Sequence, residues 1–231
     1  MKISASLYAA DPLRLAEAVA AVAPHVDSLH VDVMDGRFAP AFGFGERLVE
    51  SLVADGALPV DVHLMVERPE VWAVRFAALG VRSVAFHLEA AQDPVQLAEA
   101  VRKTGALAHV ALSPRTHPSE IPGRSDAFDG VLLLTAPAGG GDLDRAALAR
   151  VGGLSPAWFS IVDGRVDVSL LGALRAAGVA LAVIGADLFT GHNCAARAER
   201  LAFLANRTRC ASPGASQDPG LRNESGGGRR P

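Results

Sequence analysis

Short apolar runs alternate with longer amphipathic ones along nearly the whole chain. Residues 3–7, 28–33, 59–65, 82–87, 107–112, 130–134, 158–162 and 180–184 are rich in β-branched or apolar side chains, with the length and character of strands. Ala/Leu-rich stretches lie between them and predict helices over 13–23, 46–54, 69–79, from 94 onward, and over 143–151, 168–177 and 193–206. Asp11-Pro12 and Asp93-Pro94 read as an N-cap followed by proline in the first turn, and Pro69 opens the third helix in the same way. After the fifth strand, Pro118, Pro122 and Gly123 leave room for little more than a turn or two of helix.

Eight strand–helix units at this spacing suit right-handed crossovers and close naturally into an α/β (β/α)8 TIM barrel. An open doubly wound sheet is the alternative, but no glycine-rich dinucleotide fingerprint follows the first strand. The barrel is expected to span 1–206 as one catalytic domain. From residue 207 the composition turns polar and rich in Gly, Pro and Ser, the signature of a disordered tail over 207–231.

Composition narrows the partners. Half of the 231 residues are hydrophobic, 20% are charged and the net charge is −3. That balance makes no electrostatic case for nucleic acid or an anionic membrane surface. No run reaches the roughly 18–20 apolar residues of a membrane span, and the N-terminus does not read as a signal peptide. The two cysteines, Cys194 and Cys210, make no disulfide framework, which fits a reduced, cytoplasmic setting.

Chemistry on a barrel sits at the C-terminal ends of the strands. The second strand ends Leu29-His30-Val31-Asp32-Val33-Met34. Strand alternation puts His30, Asp32 and Met34 on one face and the valines on the other. The valines suit the helix-packed outside, so His30 and Asp32 point into the barrel mouth. His63 and Met65 share a face on the third strand, and Asp163 stands where the seventh strand gives way to its loop. A single strand-end histidine is commonly a hydrogen-bonded structural group. Two histidines and two carboxylates from three strands can instead converge on one divalent cation, with Zn²⁺, Fe²⁺, Mn²⁺ and Co²⁺ all suited to such a nitrogen-and-oxygen set.

The segments ISASLYAAD, LHVDVMDGRFAP, DVHLM, FHLEA, IVDG and IGADLF occur in this order over residues 2–205. In them the chain resembles the ribulose-phosphate 3-epimerase family. The pairing of HVDVMDG with DVHLM about 30 residues later carries most of the specificity. The resemblance implies that His30, Asp32, His63 and Asp163 hold one divalent metal ion, and that Asp32 and Asp163 are also the acid/base pair. It implies that Ser6 contacts substrate and that Met34 and Met65 lie beside the reacting carbons. The chemistry is coherent with these residue types: a metal stabilises the enediolate left when a proton departs next to a ketone. Inversion requires removal on one face and return on the other, hence two acid/base groups. Methionine sulfurs offer polarizable walls to a flat intermediate, although simple core filling explains them equally well.

The phosphate end departs from the family pattern. The loop after strand six, Thr135 to Asp142, is one residue short; Gly140 and Gly141 still let backbone amides approach an anion. Asp142 replaces the usual glutamine, and either repels phosphate or caps the next helix. After strand seven Gly164 is kept, but Arg165 replaces a second glycine. After strand eight Gly185 is kept, but Ala186 replaces a serine. Leu134 and Ala41 replace a common methionine and asparagine. Arg165 could grip phosphate with its charged fork, pair with Asp142, or face solvent.

The resemblance makes D-ribulose 5-phosphate and D-xylulose 5-phosphate the default substrate pair. The altered phosphate end leaves a longer hexulose or heptulose phosphate as the alternative. A non-catalytic sugar-phosphate-binding barrel is the third reading, against which the two mouth aspartates speak. The expected partner is thus a small sugar phosphate, with homo-oligomers through outer helices implied by the resemblance alone.

Overall fold

The computed structural model describes residues 1–122, 126–154, 158–191 and 193–206. The expected tail over 207–231, with Cys210, lies outside the described residues. Eight parallel strands close into a barrel in chain order: β1 (Lys2–Ser6), β2 (Ser28–Met34), β3 (Val60–Met65), β4 (Ser83–His87), β5 (Leu107–Leu112), β6 (Gly130–Leu134), β7 (Phe159–Asp163) and β8 (Leu181–Ile184), with β8 returning to pair with β1.

The helices are α1 (Leu15–Val22), α2 (Glu46–Asp55), α3 (Pro69–Ala77), α4 (Pro94–Arg102), α5 (Arg145–Ala149), α6 (Leu171–Ala176), α7 (Ala186–Phe189) and α8 (Cys194–Asn206). Strand placement follows the hydrophobic runs to within a residue or two. Helices depart further. Asp11 caps a 3-10 turn, Pro12–Arg14, before α1 begins. After β5 the described residues hold only the turn Pro118–Glu120, as the prolines require. α5 and α6 are shorter than their apolar periodicity predicts, and α5 passes into a 3-10 segment, Arg150–Gly153, where two glycines weaken the helix. The one-turn α7 is too short to leave a periodic signal.

β2, β3 and β4 are buried along their whole length. Their outward residues, among them Val31, Val33, Val62, Leu64, Val84 and Phe86, join the helices in the main core. The inner face is divided. Ala85, Ala111, Leu132, Leu134, Ile161, Leu181 and Val183 fill one side with apolar packing. Ser4, Ser6, Ser28, His30, Asp32, Asp61, His63, Ser83, His87 and His109 are buried polar residues, drawn from β1–β5.

Burying polar groups on this scale is costly unless they find partners. At the barrel floor Arg82 reaches in and binds Asp61 with both arms of its guanidinium, 2.8 Å at Nε and closer at Nη2. Ser83 Oγ donates to Asp61 at 2.7 Å, Arg82 donates to Ser28 Oγ at 3.0 Å, and Ser28 donates to Ser4 at 2.8 Å. A satisfied polar floor therefore carries the polar mouth above it.

Candidate metal centre and substrate cavity

The register of β2 on β3 sets Asp32 beside His63 and Met34 beside Met65. Asp163 ends β7 on the opposite side of the mouth. His30 Nε2 lies 3.3 Å from Asp32 Oδ1 and 3.5 Å from Asp163 Oδ2. His63 Nδ1 lies 3.3 Å and 3.2 Å from the same two oxygens. The donor atoms of all four residues fall within 4.8 Å of one another.

These distances are short, yet His30 Nε2, Asp32 Oδ1 and His63 Nδ1 are buried without a hydrogen bond. The atoms are aimed at a common centre rather than at each other. Ligands about 2.0–2.2 Å from one cation stand about 3.4 Å apart in a tetrahedron, the spacing seen here. Orphaned buried atoms in a two-nitrogen, two-oxygen set fit a divalent transition metal.

The electrostatics agree. Burial opposes charge on His30, but the Asp32 and Asp163 carboxylates raise its pKa well above the ordinary imidazole value. His63 is raised by the same two carboxylates against its own burial. Burial also works against the charge on Asp32 and Asp163, while the facing imidazoles hold both below the usual carboxylate range. Without a cation, protons on the histidines neutralise the aspartates, so a bound metal would replace those protons.

Asp32 has a further anchor: Ser6 Oγ donates to its Oδ2 at 2.9 Å. Above the centre opens a cavity of about 650 Å³, walled by Ser6, Asp32, Met34, Met65, Asp163 and Arg165 among others. Gly140, Gly164, Gly185 and Ala186 also form its wall. His30 and His63 are not among the residues that wall it. Gly141 is not among the residues that wall it either, and a Cβ there would meet the Pro137 ring at 2.8 Å.

Two glycines show why the loops approach so closely. A Cβ at Gly43 would stand 2.4 Å from the Asp32 carbonyl oxygen, and the loop after β2 uses this closeness to hydrogen-bond the strand end. Gly164, at φ +100°, would put a Cβ 2.7 Å from the Ala136 amide nitrogen.

Asp142, Arg165 and Ala186, which depart from the family pattern, all line this cavity. Arg165 is exposed at the cavity rim, at φ 57° the sole described non-glycine residue with positive φ. Its Nε donates to the Gly141 carbonyl, joining the loops after β6 and β7. Asp142 does not cap α5; that cap is Asp144, whose Oδ1 accepts from Ala146 and Ala147. The N-cap needs a side chain next to the first helical residue, and α5 starts at Arg145, two residues beyond its predicted start.

Residue reading missed a second layer. His87 Nε2 lies 3.0 Å from His63 Nε2, and His87 Nδ1 lies 3.0 Å from Glu89 Oε2. Burial lowers the His87 pKa, so it stays neutral. The alternation of β4 is the signal that could have put His87 on the inner face, but nothing in one strand shows that it stacks on His63.

A closed (β/α)8 barrel with a buried, metal-competent His/Asp centre beneath an open cavity defines the class of this molecule. The sequence profile described as the ribulose-phosphate 3 epimerase family matches residues 2–189. The chain belongs to the ribulose-phosphate 3-epimerase family. It is 32% identical over 198 residues to the ribulose-phosphate 3-epimerase of Helicobacter pylori, covering 82% of this chain and 91% of that protein. The corresponding protein of Escherichia coli is 33% identical over 199 residues, covering 81% and 88%. That of Mycobacterium tuberculosis is 41% identical over 139 residues, and the match spans 60% of either chain.

Among solved structures, a ligand complex of KGPDC from Streptococcus mutans superposes with a TM-score of 0.69 at 16% identity, over 88% of this chain and 96% of that one. The 3-hexulose-6-phosphate synthase of Salmonella typhimurium gives 0.69 at 13% identity, over 89% and 98%. At such identities these likenesses speak for the fold alone. No helix among the described residues is long and apolar enough to cross a membrane.

Proposed function

We infer that the protein epimerises a ketose phosphate at C3, with D-ribulose 5-phosphate and D-xylulose 5-phosphate as the substrate pair. One observation carries this reading: the orphaned donor atoms of His30, Asp32 and His63 face Asp163 across a common point, directly under the cavity. His30, Asp32, His63 and Asp163 would hold one divalent ion of the Zn, Fe, Mn or Co type. Such an ion supplies Lewis acidity at a ketone oxygen and so acidifies the neighbouring C–H.

The chain's own groups do the rest. Asp32 and Asp163 come from β2 and β7, on opposite sides of the mouth, and both reach the cavity. One removes the C3 proton and the other returns a proton to the opposite face, their order set by the direction of reaction. Ser6 holds Asp32 Oδ2 and keeps that carboxylate oriented. Met34 and Met65, side by side in register, wall the cavity with apolar, polarizable surface. Backbone amides around Gly140, Gly164 and Gly185, with Arg165 at the rim, are the groups available to the phosphate.

A longer ketose phosphate is the second reading, favoured by Arg165 and Asp142 at the far wall of the cavity. The test is incubation of metal-loaded protein with ribulose 5-phosphate and with longer ketose phosphates in D₂O, followed by NMR detection of deuterium at C3. Exchange confined to longer sugars would select the second reading, and no exchange with any would remove both. Asp32→Asn and Asp163→Asn are each expected to lower turnover at least about 10³-fold, since one face of C3 is then left without its acid/base group. Metal content measured alongside separates lost ligation from lost proton transfer.

A further inference from the structure

Behind the metal centre, away from the cavity, a chain of polar groups runs outward from His63. His63 Nε2 lies 3.0 Å from His87 Nε2. His87 Nδ1 lies 3.0 Å from Glu89 Oε2 and 3.3 Å from Ser113 Oγ. Glu89 Oε1 accepts from the Ser113 backbone N–H at 2.8 Å and from the Thr116 hydroxyl. Phe38, from the loop after β2, packs on the His87 ring with centroids 4.6 Å apart. His63 and His87 are fully buried.

The chemistry of these atoms leaves one arrangement of protons. Glu89 receives two donors on one oxygen and is a carboxylate, its pKa held at about 2 by the His87 and Thr116 hydrogen bonds despite burial. A carboxylate only accepts. His87 must therefore carry its proton on Nδ1, which leaves a lone pair on Nε2. Two lone pairs 3.0 Å apart would repel, so His63 must carry a proton on its own Nε2. The lone pair that His63 can offer a cation is then on Nδ1, the atom aimed at Asp32 and Asp163.

On this geometry we propose that Glu89 and His87 are positioning residues that fix the tautomer of His63 and raise its affinity for the metal. This rests on the metal reading above. It assigns work to two residues that touch neither substrate nor ion. Outer partners of this kind change metal affinity by about 10–100-fold when removed. Glu89→Gln is the informative substitution. The amide oxygen is retained by the Ser113 and Thr116 donors, which turns the amide NH₂ toward His87. His87 must then accept at Nδ1 and carry its proton on Nε2. That proton faces His63 Nε2 and forces the His63 proton onto Nδ1, the metal-facing atom.

Two measurements test it. Zn²⁺ affinity by chelator competition is expected to fall about 10–100-fold in E89Q. In the Zn²⁺-loaded wild-type protein, two-bond ¹H–¹⁵N correlation should show His63 protonated on Nε2 and His87 protonated on Nδ1. The second measurement needs no variant, so a misfolded E89Q does not shield the proposal. Wild-type affinity in folded E89Q, or a His87 proton on Nε2 in the wild type, would overturn the relay while leaving the metal site standing. Failure of the wild-type protein to bind Zn²⁺, Fe²⁺, Mn²⁺ or Co²⁺ would overturn the metal reading and the relay together.

Discussion

Single residues here carry functions that their neighbours in sequence do not announce. Arg165 adopts φ 57°, a region that costs an L-residue roughly 1–2 kcal/mol, at the cavity rim beside the glycine loops. Arg165→Gly is expected to raise stability by about 1 kcal/mol. It should also raise KM for a ketose phosphate several-fold with little change in kcat, because a phosphate grip acts equally in ground and transition states. An unchanged KM in steady-state assays would show that the guanidinium serves the loop alone.

His109 is a residue of another kind: it is 4% exposed, and neither ring nitrogen has a hydrogen bond. Burial pushes its pKa down from 6.5 to about 4. Between these values the unfolded chain binds the proton and the folded chain does not. The stability this group contributes is complete above about pH 6.5 and is lost as pH falls toward 4, by about 3 kcal/mol. His109→Leu should flatten that part of the profile in denaturant titrations at about pH 4.5 and about pH 7. A wild-type slope in the variant would show that another group controls acid lability.

At the scale of elements, alternation along a strand does two jobs at once. On β2 the odd positions Val31 and Val33 join the helix-packed core, and the even positions His30 and Asp32 enter the mouth. Both assignments were legible in the sequence because period two is a local property. The floor beneath them was not. Arg82 falls just before β4, although the apolar run places it in the strand, and its guanidinium turns in to meet Asp61 on β3. Arg82→Met would leave a carboxylate only 6% exposed without its ion partner. Removal of one member of a buried pair costs about 3–5 kcal/mol. Thermal unfolding should show a Tm lower by about 10 °C in a domain of this size, and a shift under about 2 °C would mean that Asp61 is satisfied by serine alone. Short helices were the least legible elements. α5 has five residues and α7 four, and a turn or so of helix has too few residues to show a period.

For the whole molecule, the closed barrel converts eight separate strand ends into one ring. A cation that draws four residues from β2, β3 and β7 ties distant parts of that ring together and binds the folded chain alone. Loading at a hundredfold excess over Kd is expected to add about 2.7 kcal/mol, which raises Tm by about 5–10 °C and is reversed by a chelator. A Tm indifferent to Zn²⁺, Mn²⁺ and Co²⁺ would argue against the centre. The loss of histidine protons on binding also makes this gain grow with rising pH.

What the sequence determined by itself was the set of local periods and their order. Period two placed His30, Asp32, Met34, His63 and Met65 inward, and eight strand–helix repeats implied closure. These follow from covalent geometry and from the side on which apolar residues can be buried. Tertiary structure alone decided the rest. It set which inward groups meet across the barrel, left three donor atoms orphaned at one point, and placed His87 and Glu89 behind His63. Each of these depends on distances between residues far apart in the chain. Such distances arise only when the ring closes, with a register that hydrogen bonds between neighbouring strands impose.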